Sequence, residues 1–311
     1  LPDLVDHVTE LADILGPGTG EDSAAGVEAA AGVVAGGAVR YDGAFMDRAP
    51  HLRVIARTGI GVDRVDLAEA TRRGIAVCNA PDAPTVSTAE HTLALILTAA
   101  KNVKQSEQRL RAGETNLYAR HAAMELDGKT LGLAGYGRIA RRVAAGAQAL
   151  GMRVVAHDPY LDANRFGHTT PMATLDEVLA AADVVSVHIP LTPNTARIFD
   201  AARFAAMRDG AVFVNTARGG LVDQDALLGA IDSGKLLAAA LDVTDPEPLP
   251  ADHPLLHRDT IVVTPHVASG TNDGRRRLFI DAFEQVIQVL DGERPVHLVN
   301  PEVWNRMETT T

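Results

Sequence analysis

Short apolar runs alternate with amphipathic stretches along the chain, and periods of 2 and 3.6 residues account for most of the pattern. In the first 80 residues, Gly32–Ala35 and Arg53–Arg57 read as buried strands and Ile75–Cys78 as a third, shorter one. Arg64–Arg73 reads as a helix stopped by Gly74, and Ser87–Arg111 predicts one long helix with Leu93, Leu95, Ile96 and Val103 at its apolar positions. After Gly128 the alternation becomes regular. Strand-like runs occur at Leu131–Ala134, Arg153–Ala156, Val184–His188, Ala211–Asn215, Ala238–Asp242 and Thr260–Thr264. Helices are predicted between them at Arg138–Leu150, Leu175–Ala182, Ala201–Met207 and Asp225–Leu236, the last interrupted by Gly229 and Gly234. Near-continuous apolar strands separated by helices need a parallel sheet covered on both faces, an α/β fold of the doubly wound kind. Asp273–Leu290 is a further amphipathic helix whose position suits a return to the first domain. The predicted organisation is therefore 1–82 as the first part of one domain, 83–269 as a second, and 270–311 as the helix and tail that complete the first.

A chain of 311 residues is long for one core and comfortable for two. Hydrophobic residues make up 46% and charged residues 22%, an ordinary globular composition. The 29 Lys and Arg against 40 Asp and Glu leave a net charge of −11, which repels phosphate backbones and anionic lipid. No nucleic-acid partner and no membrane partner are expected. The single cysteine, Cys78, precludes an internal disulfide and suits a reducing compartment. Leu1–Leu15 carries Asp3, Asp6, Glu10 and Asp13 among its apolar positions, unlike a signal peptide. These features predict a cytoplasmic protein.

The segment Lys129–Ala140 places G-x-G-x-x-A at a strand-to-helix turn. Gly135 supplies the tight turn, Gly137 lets the backbone approach a pyrophosphate at the helix N-terminus, and Ala140 is small enough for helix–strand packing. Asp158 ends the next strand, 23 residues after Gly135. That is close to the ~20 residues that separate such a loop from the carboxylate binding the adenosine ribose diol. A carboxylate there repels a 2′-phosphate, so NAD is the expected cofactor. The plainer reading of Asp158 is a turn cap ahead of Pro159.

Three later strands deliver polar residues at their carboxyl ends, the edge where open parallel sheets bind ligands. Arg218 follows a buried strand and precedes Gly219-Gly220, a setting that suits bidentate capture of a carboxylate. Asp242 ends a strand otherwise free of charge, and Glu247 sits between Pro246 and Pro248, which fix φ on either side. His266 follows Pro265 at the end of the next strand. A carboxylate one strand earlier can hold its imidazole, and such a pair is a proton donor matched to hydride transfer. His51, His168 and His257 show no comparable signal. Ligand pairs at H-x-x-x-H or C-x-x-C spacing are not expected and no G-x-S-x-G occurs, so neither a metal site nor a serine nucleophile is expected.

With these residues assembled, the chain resembles the D-isomer-specific 2-hydroxyacid dehydrogenase family over nearly its whole length. The nearest branches are phosphoglycerate dehydrogenase and glyoxylate/hydroxypyruvate reductase. The resemblance rests on Arg57–Asp63, Ser87–His91, Gly128–Ile139, His188–Thr192, Asn215–Asp223 and Pro265-His266. It implies two Rossmann-like domains, doubly wound parallel sheets with a cleft between them, and a homodimer to which Ser87–Arg111 contributes. The first domain would bind substrate and 83–269 would bind NAD. It implies that Arg218 orients the substrate carboxylate and carbonyl, that His266 is the acid/base and that Glu247 pairs with it. Amides of Ile60 and Gly61 would hold the carboxylate. Arg138 and Ile139 would meet the pyrophosphate, His188 and Pro190 the adenine side, and Thr216, Ala217 and Asp242 the nicotinamide half.

The family's loop usually ends in glycine where Ala140 stands, and many relatives carry asparagine in place of Pro84. Phosphoglycerate-specific relatives resemble one another by an arginine after the first strand, where this chain has Gly36-Gly37 and its nearest arginine is Arg40. A further strand is expected ahead of Leu1, and no C-terminal regulatory domain is expected. The activity expected is hydride transfer between NAD and a small D-2-hydroxy/2-oxo acid of the glyoxylate or hydroxypyruvate type. Two alternatives stand beside it: a 3-phosphoglycerate dehydrogenase, and an NAD-sensing binding protein of the corepressor kind.

Overall fold

The computed structural model describes residues 8–9, 11–15, 24–37, 39–172 and 174–304. Asp3, Asp6 and Glu10, on which the N-terminal reading partly rests, lie outside the described residues. The chain divides into two compact units, residues 1–85 with 270–311 and residues 86–269.

The first unit opens with β1 (Gly32–Ala35), α1 (Gly43–Arg48), β2 (Val54–Arg57), α2 (Leu67–Arg73) and β3 (Ala76–Cys78). The α2 helix starts three residues later than its periodicity predicts, because the Asp66 carboxylate caps it by accepting from Glu69 N. Gly74, at φ 75°, ends it as expected. The three strands form a parallel sheet in the order β1-β2-β3.

The second unit contains α3 (Thr85–Ala100, starting at the boundary), α4 (Val103–Arg111) and α5 (Leu117–Arg120). The single helix predicted over Ser87–Arg111 is thus two. Asn102 takes φ 48°, a conformation asparagine tolerates, and its side-chain amide donates to Ala122 O. Met124 N donates to Ala100 O at 2.7 Å, so a returning segment closes the first helix. Then follow β4 (Thr130–Ala134), α6 (Arg138–Ala149), β5 (Arg153–His157), β6 (Thr170–Pro171), α7 (Leu175–Ala181), β7 (Val184–Val187) and α8 (Ala201–Ala206). The unit ends with β8 (Ala211–Asn215), α9 (Gln224–Asp232), β9 (Leu236–Leu241) and β10 (Ile261–Val263).

Seven strands, not six, make up this parallel sheet among the described residues, in the order β10-β9-β8-β7-β4-β5-β6. The added β6 is a two-residue edge strand containing Pro171, too short and too polar to show a period. Alternate residues face opposite layers: Val212 and Val214 join the core that α6 covers through Val143 and Ala147, whereas Phe213 packs with Phe199 and Phe204 on the other side. Strand order reverses between β4 and β7, which places a crevice at the carboxyl ends of those two strands.

The chain then forms α10 (Asn272–Leu290), which belongs to the first unit. Ala282, Val286 and Val289 pack against Val54, Ala56, Ala76 and Cys78. Burial pushes the Cys78 thiol up to about 12, so it is an inert core residue. No helix among the described residues is long and apolar enough to cross a membrane.

Candidate active site

The glycine loop follows β4. Gly135 has φ 90°, and a Cβ there would stand 2.6 Å from His188 O, so only glycine lets the residue after β7 lie against the loop. Gly137 precedes α6, and a Cβ on it would meet nothing within 4 Å, which leaves the helix N-terminus open to an approaching group. Arg138 is exposed in the first turn, Ile139 packs partly against the core, and Ala140 is fully buried, which accounts for a small residue at that position. Tyr136 anchors the loop from within. Its ring stacks on Phe166 at 5.1 Å and its hydroxyl donates to Phe166 O at 3.1 Å.

Asp158 does more than its spacing suggests. Its Oδ2 accepts from Tyr136 N at 2.9 Å and its Oδ1 from Tyr160 N at 3.0 Å, so it braces the glycine loop. Each oxygen keeps a second lone pair for a ribose hydroxyl. His188 shares a hydrogen bond with Ser186 Oγ at 2.9 Å, and burial pushes its imidazole down to about 4, so it is neutral at pH 7. Pro190 is exposed, and its carbonyl accepts from Thr195 Oγ1 at 2.7 Å. An open helix N-terminus behind a glycine loop, with a carboxylate at the end of the adjacent strand, fits a dinucleotide.

Arg218, Glu247 and His266 follow the neighbouring strands β8, β9 and β10. Asn215, fully buried at the end of β8, accepts from Ala217 N at 2.9 Å and donates to Arg218 O at 2.8 Å. It clasps the segment containing Thr216, Ala217 and Arg218, and the Arg218 guanidinium donates to Ala217 O at 2.6 Å. Thr216 Oγ1 lies 2.9 Å from Thr92 Oγ1 of α3. A Cβ on Gly219 would stand 2.1 Å from Thr244 O, so the Arg218 loop and the loop carrying Glu247 touch backbone to backbone. Gln224 ties down that second loop, donating to Asp245 O at 2.5 Å and accepting from Asp245 N at 3.1 Å.

His266 Nδ1 stands 2.8 Å from Glu247 Oε1, with both side chains partly exposed. Asp242, one strand end away, is 1% exposed. It accepts from Thr264 Oγ1 at 2.6 Å, Val267 N at 3.0 Å and Ala268 N at 2.9 Å, and His91 Nε2 lies 3.4 Å away. Burial pushes this carboxyl up, but the bonds from His91, Thr264 and the two amides outweigh it and hold it below its ordinary value. In the first unit, Ile60 and Gly61 follow β2. Ile60 O accepts from Asn79 Nδ2 at 2.9 Å, and Gly61 O accepts from Arg57 Nε at 3.0 Å.

Asn215, Gln224, Thr264 and His91 escaped the sequence reading of the site. Asn215 had a signal, a polar residue ending an apolar strand, whereas the other three find their partners only through tertiary packing. The expectation of no H-x-x-x-H spacing is incorrect, because His253 and His257 have it. His253 Nδ1 accepts from Leu255 N at 3.3 Å and His257 Nε2 lies 3.1 Å from Ala251 O. Among the described residues no group of three His, Cys, Asp or Glu side chains gathers as a metal site.

The sequence profile of "D-isomer specific 2-hydroxyacid dehydrogenase, NAD binding domain" matches residues 93–268. A D-3-phosphoglycerate dehydrogenase of Methanocaldococcus jannaschii is 42% identical over 258 residues, 82% of this chain and 49% of the relative. The chain spans about half the length of the curated relatives it matches. Among solved structures, the TT0316 protein of Thermus thermophilus is 43% identical with a TM-score of 0.81, covering 88% of this chain and 87% of its own. A glyoxylate reductase from Paecilomyes thermophila is 31% identical with a TM-score of 0.74, covering 80% of this chain and 75% of its own. The chain belongs to the D-isomer specific 2-hydroxyacid dehydrogenases, and residues 93–268 are their NAD binding domain.

Proposed function

We propose that this chain catalyses hydride transfer between NAD and a small D-2-hydroxy/2-oxo acid of the glyoxylate or hydroxypyruvate type. The Glu247–His266 pair, 2.8 Å apart at the carboxyl edge of an NAD binding domain, carries this reading. NAD supplies or accepts the hydride when bound. Gly135, Gly137, Arg138 and Ile139 would hold its pyrophosphate and Asp158 its adenosine ribose. His188 and Pro190 would line the adenine side, and Thr216 and Ala217 the nicotinamide half.

Glu247 is an acceptor, so His266 Nδ1 carries the proton between them, and Nε2 is the atom that gives a proton to the carbonyl oxygen or takes it from the hydroxyl. The Arg218 fork binds the substrate carboxylate, and the amides of Ile60 and Gly61 add further donors. Asp242 would complete the nicotinamide half, and its carboxylate is at the same time held by Thr264, Val267 and Ala268 of the chain itself. Cytoplasmic placement and a homodimer complete the reading.

The second reading, oxidation of 3-phosphoglycerate, is favoured by the 42% identity to a relative named for that activity. Against it, the end of β1 presents Gly36-Gly37. The Arg57 guanidinium there donates to Ala35 O at 3.0 Å and to Gly36 O, and Arg40 is exposed.

The test follows NADH absorbance with glyoxylate, hydroxypyruvate and 3-phosphohydroxypyruvate, each with NADH and NADPH. NADH should exceed NADPH by about tenfold in kcat/KM, ~1.4 kcal/mol, and an unphosphorylated acid should be preferred. A preference for 3-phosphohydroxypyruvate that Arg40→Ala abolishes would establish the second reading. NADH binding without turnover of any oxo acid would make the chain a binding protein.

A further inference from the structure

The stretch Ser87–His91 is part of the family resemblance, yet the proposed reaction gives none of its residues a task. His91 lies in α3, and its Nε2 stands 3.1 Å from Thr264 Oγ1 and 3.4 Å from Asp242 Oδ1. The Thr264 hydroxyl has one proton, and at 2.6 Å that proton goes to Asp242 Oδ1. Both oxygens facing His91 are therefore acceptors, so a neutral His91 must carry its proton on Nε2. Asp242 in turn grips the next turn of chain. Its carbonyl accepts from His266 N at 2.7 Å, and its carboxylate accepts from Val267 N and Ala268 N. Three consecutive amides are thus held by one buried residue. The first belongs to His266, whose φ of 54° lies in the left-handed region that residues with a Cβ rarely adopt.

We propose that His91 is a positioning residue: through Thr264 and Asp242 it fixes the backbone turn that aims the His266 imidazole at Glu247. This rests on the reading of His266 as the proton donor. In that reading the buried Asp242 serves the main chain, and the exposed Glu247 serves the imidazole.

His91→Phe keeps a ring and removes the donor, while His91→Gln returns an N–H at similar reach. Amide hydrogen exchange on the full chain, read by NMR, reports the grip on Val267 and Ala268 without needing turnover. In His91→Phe those two amides should exchange about tenfold faster or more, with the β8 amides of Val212–Val214 unchanged. The kcat for the preferred oxo acid should fall about tenfold with the KM for NADH unchanged, and His91→Gln should recover both losses. Unaltered exchange in a folded His91→Phe protein overturns the proposal, as does faster exchange with unaltered kcat. Faster exchange spread through β8 would assign His91 to general stability and overturn it too. Absence of turnover in the unsubstituted chain instead overturns the proposed reaction and with it the positioning role, while the exchange measurement still decides whether the grip exists.

Discussion

The turn after β10 and the loop after β2, one in each unit, are held in opposite ways. In the turn, a buried acceptor sits at the centre: the Asp242 carboxylate collects a hydroxyl and two main-chain amides. In the loop, a donor sits at the centre. The Arg57 guanidinium collects the carbonyls of Ala35, Gly36 and Gly61, while Thr58 Oγ1 donates to Ala35 O at 3.2 Å. An acceptor at the centre uses up amides and lets the turn project a side chain, His266. A donor at the centre uses up carbonyls, and the amides of Ile60 and Gly61 are the groups proposed to meet the substrate carboxylate. The sign of the central partner thus decides whether a segment's amides or its carbonyls are taken up.

The largest effect should come from the projected side chain. His266→Ala should lower kcat by roughly 10²–10⁴-fold in the NADH assay, the range for a positioned acid or base, with the fold retained. A smaller loss would mean that the turn aims nothing catalytic.

Removing the central acceptor should act on stability. Asp242→Ala should cost about 3 kcal/mol in denaturant unfolding, because buried donors left unpaired cost ~1–3 kcal/mol each. Its folded carboxyl lies below the ordinary value, so this contribution is present above an unfolded pKa of about 3.9 and is lost as pH falls through the folded pKa. The acid limb of the stability curve should therefore be shallower in Asp242→Ala than in the parent.

His188, at the same sheet edge, gives the same sign at higher pH and for the opposite reason, since burial disfavours its charged form whereas hydrogen bonds favour the charged form of Asp242. Its imidazole is pushed down to about 4 by burial, so the unfolded chain takes up a proton there first as pH falls below about 6.5. Stability should drop between those values by on the order of 2 kcal/mol, and His188→Gln should flatten that drop. A parent curve flat across that window would show that His188 is solvated.

The smallest effect should come from the central donor of the loop, which is only partly buried. Arg57→Lys should cost about 1 kcal/mol of stability, since a point charge cannot span three carbonyls as a planar fork does. It should also raise KM for the oxo acid more than it lowers kcat. The reverse split would give the loop a part in the chemical step.

Periodicity alone located most of the second unit's frame. Ala211–Asn215 was read to the residue, because a strand buried on both faces leaves an unbroken apolar run between polar ends. The break at Asn102 was not legible, since the apolar spacing continues across it and the returning segment that closes α3 lies about twenty residues further along the chain. Glu247 and His266 were legible as a pair because prolines and strand ends mark them, and the side chains do meet. Asp242 was placed at the nicotinamide half by the resemblance, which carries no information on the donors from Thr264, Val267 and Ala268 that its carboxylate also collects.

The sequence by itself determined the alternation of strands and helices, the glycine loop and the types of residue brought to one sheet edge, all of which depend on local spacing and side-chain chemistry. Only the tertiary structure decided which carboxylate is buried among main-chain donors and which is left to hold an imidazole. It also decided that His91, over 170 residues from Thr264, closes the same network. Burial and hydrogen-bond saturation are set by neighbours brought together from distant parts of the chain, and no period or motif encodes them.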